Sequence, residues 1–187
     1  MSNFYIADLH FGHANIMRHS KRPFTSVEEM DETLIKNWNK VVKPTDTVYI
    51  LGDLCFKNGK NPEEYLTRLN GTKILILGNH DTQIRKNLVR GKYPELVKVV
   101  PYLELTEVVD GESRLIVLSH YPMIEWNGYF RNSIHLYGHI HNNTENDTYT
   151  LMKNRKNAYN VGVDILDYTP RTLAEVIEYN NKFFAEH

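Results

Sequence analysis

Residues 73–81 read Lys-Ile-Leu-Ile-Leu-Gly-Asn-His-Asp, an apolar run that passes directly into residues of loop and ligand type. Residues 73–77 are typical of a buried β-strand, because the run is short, apolar and contains β-branched side chains. The residues that follow, 78–81, predict a loop that begins where the strand ends. Ligand sites of open α/β sheets form at the carboxyl ends of strands. This stretch therefore predicts an internal strand together with a functional loop.

The same pattern recurs at other places along the chain. Short runs rich in Ile, Val, Leu and Tyr predict strands at 4–7, 47–51, 114–119 and 134–137, and each is followed at once by polar, Gly- or His-containing sequence. Two or three strand-like runs lie within 97–119, where Asp110-Gly111 is a strong hairpin signal. The Asn-rich stretch 142–157 predicts a long polar surface loop or a partly mobile hairpin.

Helical patterns lie between several of these strands. Ser26 and Glu29 form a capping box ahead of apolar residues at helical spacing, which predicts a helix of about four turns. A second helix is predicted after Pro62, ending at Asn70-Gly71. A third is predicted to begin near 169 or 172, with Pro170 in its first turn. Strands alternating with helices indicate an α/β layered fold, with a mixed sheet or two sheets flanked by helices.

Composition limits the class of protein. A chain of 187 residues predicts one domain spanning 1–187, and a net charge of -1 argues against an extended nucleic-acid-binding surface. Apolar runs are far shorter than the roughly 20 residues of a bilayer helix, so we expect no membrane partner. The single cysteine indicates a reducing compartment, and the start of the sequence lacks the pattern of a secretory signal. We expect a cytoplasmic protein.

The strand ends collect an unusual set of side chains. Each lone His after a strand is more often a hydrogen-bonded turn residue than a ligand, but ordinary turns have no reason to gather so many. Oxygen and imidazole ligands without thiolate suit Mn, Fe, Zn or Ni, with Mg as an alternative. The residues concerned are Asp8, His10, Asp53, Asn79, His80, Asp81, His120, His139 and His141.

In order and approximate spacing these motifs resemble those of the calcineurin-like metallophosphoesterases, from residue 8 to residue 141. Asn160 to Asp164 also looks like the closing strand and turn of the small bacterial, archaeal and phage members. The resemblance implies an α/β fold, a four-layer α/β/β/α sandwich of two mixed sheets. It further implies two divalent transition metal ions bound between the sheet edges.

The resemblance also implies roles for individual residues. One metal would be held by Asp8, His10 and His141, the other by Asn79, His120 and His139, with Asp53 bridging them. His80 would be the general acid, with Asp81 holding its ring. The implied reaction is hydrolysis of phosphomonoesters or phosphodiesters by in-line attack of hydroxide bound to the dinuclear centre, without a phospho-enzyme.

Other residues are weaker candidates. His13 is expected either to contact the substrate or to hydrogen-bond to a ligand. Arg18, Arg22 and Arg131 are candidate phosphate clamps, although each is also explained as a surface charge. The aromatic cluster of Trp126, Tyr129 and Phe130 predicts core packing, or a stacking wall for a nucleotide-like substrate. We expect His19, His135 and His187 to be solvent-exposed or structural. Cys55 is expected to be a small buried residue beneath the site and not a ligand.

Two functions of different kind remain open at this point. One is a metallophosphoesterase acting on a small phosphate ester or nucleotide-like molecule. The alternative is a catalytically weak binding or scaffold module that kept the fold; such a module is expected to have lost residues such as His80, which is present here. A structural zinc protein is disfavoured because closed zinc sites usually recruit Cys. The oligomeric state does not follow from the sequence.

Overall fold

Two β-sheets with flanking helices form the part of the chain that the computed structural model describes, residues 1–56, 60–87, 92–109 and 111–187. The strands are β1 (Asn3–Ile6), β2 (Thr47–Ile50), β3 (Thr72–Ile76), β4 (Leu96–Val100), β5 (Tyr102–Val109), β6 (Glu112–Ser119), β7 (Ile134–Tyr137) and β8 (Ala158–Asn160). The helices are α1 (Ala14–His19), α2 (Val27–Val41), α3 (Pro62–Leu66), α4 (Thr82–Asn87), α5 (Asp147–Lys153) and α6 (Leu173–Glu186). Among these helices, none has the length and apolar character needed to cross a bilayer.

The two sheets differ in strand direction. The first has the order β1-β2-β3-β4, and every pair of these strands is parallel. The second has the order β5-β6-β7-β8, with β5 antiparallel to β6 and the other pairs parallel. The expectation of two mixed sheets is therefore correct for the second sheet and wrong for the first. Helices connect β1 to β2, β2 to β3 and β3 to β4, and such crossovers return the chain to the same end of the sheet.

Helix α2 covers the outer face of the first sheet. Val48 and Ile50 of β2 belong to one buried apolar cluster with Leu34 and Trp38 of α2. Trp38 is fully buried, and its indole N–H donates to the carbonyl of Asn70 at 3.0 Å. Alternate residues of the same strand point the other way, because side chains alternate across a strand.

The inner faces of the two sheets pack against each other. Leu51, which directly follows β2, and Ile76 of β3 share a buried cluster with Ile116 and Leu136 of the second sheet. Helices α5 and α6 cover the outer face of the second sheet, through a cluster that contains Val117, Tyr137, Tyr149, Met152, Phe183 and Phe184. The layers therefore run helix, sheet, sheet, helix, which confirms the predicted four-layer sandwich.

The predicted helices form, with corrected ends. Ser26 caps α2 by accepting from the Glu29 N–H at 3.1 Å, but the Glu29 carboxylate accepts from Thr25 rather than from Ser26. Helix α3 ends at Leu66, earlier than predicted, because the next turn tightens into i→i−3 hydrogen bonds such as that from Leu69 to Leu66.

The third predicted helix, α6, begins at Leu173 with Thr172 as its N-cap, so Pro170 precedes the helix instead of lying in its first turn. The reason is that Arg171 is still extended, since it forms an antiparallel bridge with Tyr5 beside the first sheet.

The polar middle segments are partly regular. The hairpin forms as predicted, with β5 and β6 paired from Tyr102 opposite Ser119 to Val109 opposite Glu112; Asp110 of the predicted turn lies outside the described residues. The stretch 142–157 contains helix α5 and is not one long loop or hairpin. Tyr149 and Met152 of α5, three residues apart on one face of the helix, are buried against the second sheet and stabilise this short helix.

Strands β1 and β8 meet at their carboxyl ends and join the sheets. The N–H of Ala7 donates to Val161 at 2.8 Å, and the N–H of Val163 donates back to Ala7 at 3.0 Å. The predicted closing strand, 160–164, is shifted, because the regular strand β8 ends at Asn160. This junction brings the loops that follow the strands of both sheets to one edge.

Candidate metal centre

The seven predicted metal ligands lie in the loops that follow β1, β2, β3, β6 and β7. Asp8, His10 and His141 form the first group, with one ligand atom of each within 4.8 Å of the others. Ligand atoms of Asp8, Asp53 and His120 also lie within 4.8 Å of one another, which places Asp8 close to a further set of ligands. The structure therefore brings together side chains from both sheets that the sequence separates by more than a hundred residues.

Asn79, His120 and His139 form the second group. The Oδ1 of Asn79 lies 2.9 Å from His120 Nε2 and 3.1 Å from His139 Nδ1. An amide oxygen and two imidazole nitrogens thus converge, as expected for the three ligands of the second metal.

Asp53 lies between the two groups. Its Oδ2 is 3.5 Å from His10 Nε2 on one side and 3.6 Å from His120 Nε2 on the other. Its Oδ1 accepts the backbone N–H of His80 at 2.8 Å, which fixes the orientation of the carboxylate. This position is suited to a carboxylate shared by two cations.

The backbone at the ligands is unusual. A positive φ is uncommon for residues other than Gly and carries a strain of about 1 kcal/mol or more per residue. Such strain persists where the surrounding structure demands it, and it clusters at functional sites. Five of the predicted ligands adopt it: Asp8 (58°), His10 (53°), Asp53 (54°), His139 (74°) and His141 (51°).

Two glycines allow the ligand loops to approach one another. A Cβ on Gly52, whose φ is 89°, would lie 2.4 Å from His120 Nδ1. A Cβ on Gly78 would lie 2.3 Å from Asp53 Oδ1. Both distances are too short for any side chain, so Gly-Asp and Gly-Asn at these loops are requirements of the site rather than turn signals alone.

Buried atoms without partners show that the residues fit bound cations. Asp8 Oδ1 and His10 Nε2 are both buried, and neither has a hydrogen-bond partner among the residues that the structure describes. Such orphaned atoms are costly unless something else satisfies them. Burial also raises the pKa of Asp8 to about 7, an effect that a nearby cation reverses by favouring the carboxylate. Oxygen and nitrogen donors of this kind match a divalent transition metal.

Neighbouring groups set the direction of two ligand rings. His141 Nδ1 lies 2.8 Å from Asp164 Oδ2, and His120 Nδ1 lies 2.8 Å from the carbonyl of Leu51. Each contact occupies Nδ1 and leaves Nε2 for a metal, the usual arrangement for metal-binding His. Burial by itself raises the pKa of Asp164, but the positive charge of Arg22 and the contact with His141 outweigh this effect and hold that pKa below its usual range.

Asn160 holds the backbone of His141 in place. Its Nδ2 donates to the carbonyl of His141 at 2.8 Å, and its Oδ1 accepts from Gly162 at 2.8 Å. Asn180 of α6 in turn bonds both the N–H and the carbonyl of Asn160. Sequence reasoning assigned no site role to Asn160 or Asp164; the signal was present in the motif 160–164, which was treated only as a strand and turn.

Arg22 is not a phosphate clamp, contrary to the expectation from the sequence that it would bind phosphate. Its side chain is buried and forms a two-point pair with Asp164, with Nε 2.8 Å from Oδ1. The guanidinium also donates to the carbonyls of Asp8 at 2.7 Å and Leu9 at 2.9 Å. These contacts direct it inward, so it holds the ligand loop instead of meeting substrate.

Asp81 does not hold the ring of His80, contrary to the role that the resemblance implied for it. Its carboxylate accepts three backbone N–H groups, from Asp53, Leu54 and Gly78, at 2.8 to 3.0 Å. A carboxylate engaged in this way ties the loop after β2 to the loop after β3. Asp81 therefore positions Asp53 through the backbone.

His80 and His13 lie beside the ligands. The ring of His80 is 39% exposed, and its Nε2 is 4.0 Å from Asp53 Oδ2. His13 Nδ1 is 3.3 Å from His10 Nδ1, and burial lowers the pKa of His13 to about 4. Both rings line a cavity of about 910 Å³ whose other walls come from α1 and from residues 140–148. The structure therefore brings His13 to the site.

The remaining candidates divide between surface and interior. His19 and His187 are exposed, as expected, and they also line the large cavity. His135 is buried and bonded to backbone, which confirms a structural role. Cys55 is a buried free thiol, and Arg18 is exposed on α1.

The aromatic cluster lies beside a separate cavity of about 150 Å³. Trp126 is buried there and donates to Ser133 at 2.9 Å, which confirms core packing for this residue, whereas Phe130 is 85% exposed. Arg131 lines this small cavity and does not line the large one beside the ligands, so the structure does not support a role as a phosphate clamp.

Comparisons with known proteins agree with this geometry. The family model for calcineurin-like phosphoesterases matches residues 4–181. An uncharacterized protein of Methanocaldococcus jannaschii is 35% identical over 181 residues, covering 96% of this chain and 91% of that protein. The Gene 66 protein of Mycobacterium phage L5 is 44% identical over 85 residues, 43% of this chain and 41% of that protein.

A solved structure shows the same fold along nearly the whole chain. The crystal structure of a protein of unknown function from Aquifex aeolicus superposes with a TM-score of 0.68 at 28% identity, covering 94% of this chain and 97% of that one. The family match spans all the strand-end motifs and includes every ligand of the site described above. The chain therefore belongs to the calcineurin-like phosphoesterases, hydrolases that act on phosphate esters.

Proposed function

We propose that this protein hydrolyses phosphomonoesters or phosphodiesters at a two-metal centre by in-line displacement, without a phospho-enzyme intermediate. The observation that carries the proposal is the position of Asp53, whose Oδ2 lies within 3.6 Å of imidazole nitrogens from both ligand groups. One ion would be held by Asp8, His10 and His141, the other by Asn79, His120 and His139, with Asp53 shared.

Two divalent ions bound at such a site supply an activated water and stabilise the charge on the phosphate oxygens. The donor set favours Mn, Fe, Zn or Ni, with Mg as an alternative. The protein's contribution is preorganisation: strained loops, tied by Asp81 and Arg22, hold the ligands in place before the substrate arrives.

His80 is proposed as the general acid. Its ring is half-exposed on the cavity wall, and its backbone N–H is anchored to Asp53, which keeps the ring close to the shared carboxylate. As the bond between phosphorus and the leaving oxygen breaks, the imidazolium of His80 gives its proton to that oxygen. Imidazole suits this task because its ordinary pKa is near neutrality.

The proposed substrate is a small phosphate ester or a nucleotide-like molecule. The cavity of about 910 Å³ is open beside the ligands and has amide and hydroxyl groups along residues 142–148. These groups suit a polar leaving group of modest size. The cytoplasmic location remains a prediction from the sequence.

The test combines elemental analysis with hydrolysis of p-nitrophenyl phosphate and bis-p-nitrophenyl phosphate. We expect two transition metals per chain, metal-dependent release of p-nitrophenol, and loss of both the second metal and activity in Asp53→Asn. Asp167→Asn is the matched control, because Asp167 has nearly the same φ, 52° against 54°, but is 77% exposed.

Full activity in a metal-stripped sample or in Asp53→Asn would overturn the proposal. If two metals bind but no ester of a broad panel is hydrolysed, the binding or scaffold module becomes the better description.

A further inference from the structure

His13 occupies a position beside the metal ligands that the mechanism above does not use. Its Nδ1 lies 3.3 Å from Nδ1 of His10. Its backbone N–H donates to the His10 carbonyl at 3.1 Å, and its own carbonyl accepts from Ile16 at the start of α1. The ring is therefore held by the chain as well as by its neighbour.

The contact between the two Nδ1 atoms, together with metal binding through His10 Nε2, determines which nitrogens carry hydrogen. His10 Nε2 is the buried, unpartnered atom that lies 3.5 Å from Asp53 Oδ2, so Nε2 is the nitrogen available to a cation. A neutral His10 that binds through Nε2 carries its hydrogen on Nδ1 and donates it to His13. His13 Nδ1 is then the acceptor, and the hydrogen of the His13 ring must lie on Nε2.

Packing fixes the ring plane that carries this hydrogen. His13 stacks on Phe56, with ring centroids 3.7 Å apart and an angle of 3° between the planes. Phe56 belongs to the loop that follows Asp53, and its N–H is bonded to Phe11. The His13 ring lines the same cavity as His80, with 6.2 Å between the two ring centroids.

We propose that His13 is a substrate-contacting residue whose Nε2–H donates a hydrogen bond to a non-bridging oxygen of the phosphoryl group. The inference rests on the proposed function, since it takes His10 to be a metal ligand and the cavity to be the place where the phosphate binds. It assigns His13 a task different from that of His80, which protonates the leaving oxygen.

The first test reads the tautomer directly and needs no turnover. In the zinc-loaded protein, two-bond ¹H–¹⁵N correlation spectra are expected to show His13 protonated at Nε2 and His10 protonated at Nδ1. A His13 ring protonated at Nδ1 would overturn the inference, whether or not the protein hydrolyses any ester.

The second test measures binding of inorganic phosphate to the metal-loaded protein. His13→Asn keeps an acceptor near the position of Nδ1 but removes the Nε2 donor, so phosphate is expected to bind about tenfold more weakly with unchanged metal content. His13→Phe keeps the stack on Phe56 but also removes the acceptor for His10, so both phosphate and metal affinity are expected to fall.

Phosphate affinity equal to that of the unmodified protein in His13→Asn would refute the substrate contact. A fall in metal content without any change in phosphate affinity of the loaded protein, in both variants, would likewise refute it and leave His13 as a support for His10 alone. A failure of the proposed function itself would appear separately, as absence of hydrolysis with metals and phosphate bound.

Discussion

Replacing Asp164 by Asn tests how the first metal site is held. The Asp164 side chain has no exposure to solvent; its Oδ2 lies 2.8 Å from His141 Nδ1 and its Oδ1 lies 2.8 Å from Arg22 Nε. The amide removes the negative charge between these two groups and leaves Arg22 buried without a counter-ion. Loss of one partner of a buried pair costs about 3–5 kcal/mol, and loss of a group that orients a metal-binding His weakens metal binding about 10–100-fold.

Two measurements check this prediction. Urea unfolding of the metal-free protein gives the loss of stability, and competition with a chelator gives the metal affinity. Asp167→Asn, an exposed change three residues away, is expected to alter the free energy of unfolding by no more than about 0.5 kcal/mol. If Asp164→Asn behaved like this control in both assays, the argument from the buried pair would be refuted. If only stability fell, the claim that Asp164 orients His141 would be wrong.

Further predictions concern the loops, the acid and the second cavity. Gly52→Ala and Gly111→Ala both place Ala at a positive φ, 89° and 80°, but among the described residues only the Cβ on Gly52 meets an atom within 4 Å. Gly52→Ala should therefore lose about 1–3 kcal/mol more stability in urea unfolding and also lose metal; equal losses would contradict the clash with His120. His80→Ala should lower kcat about 10²–10⁴-fold for an alkyl phosphate and less for p-nitrophenyl phosphate, whose leaving group needs little protonation; the same loss on both esters would exclude His80 as the acid. Arg131→Ala should leave the kinetics of hydrolysis unchanged, and a raised KM would restore it as a phosphate clamp.

The strand-end loops could be predicted from sequence because buried strands are continuous apolar runs, and the break to polar residues is abrupt. That break places Asp53 and Asn79 at known ends of strands, and it brings them together once the sheet is parallel. Which side chains share an ion does not follow from this rule; the two groups of metal ligands were implied by the resemblance to the calcineurin-like metallophosphoesterases. The four-layer order was likewise implied by that resemblance, and the structure bears it out in strands such as β2, whose side chains alternate between the two apolar clusters.

The direction of a side chain could not be predicted in the same way. Arg22 and Asp81 are of the right type for phosphate binding and for orienting a His, but each finds more partners in backbone groups folded around it. Those partners come from other loops, so nothing local reveals them. Helix α5 could not be predicted for a related reason. It has only seven residues, most of them polar, and its two buried side chains are stabilising only because they pack against the second sheet.

The positive φ angles of the ligand loops have a consequence for the evolution and engineering of this protein. Gly adopts that backbone conformation freely, and Asn and Asp adopt it more readily than most other residues. A selection for greater stability of the metal-free chain would therefore favour Gly or Asn at the positions that bind metal. The more stable variants that it selected would have lost metal ligands and, with them, activity. Stability screens of this protein should be run on the metal-loaded form, where loss of a ligand is counted against a variant. The positions open to improvement then lie elsewhere, in the helices and outer faces of the sandwich.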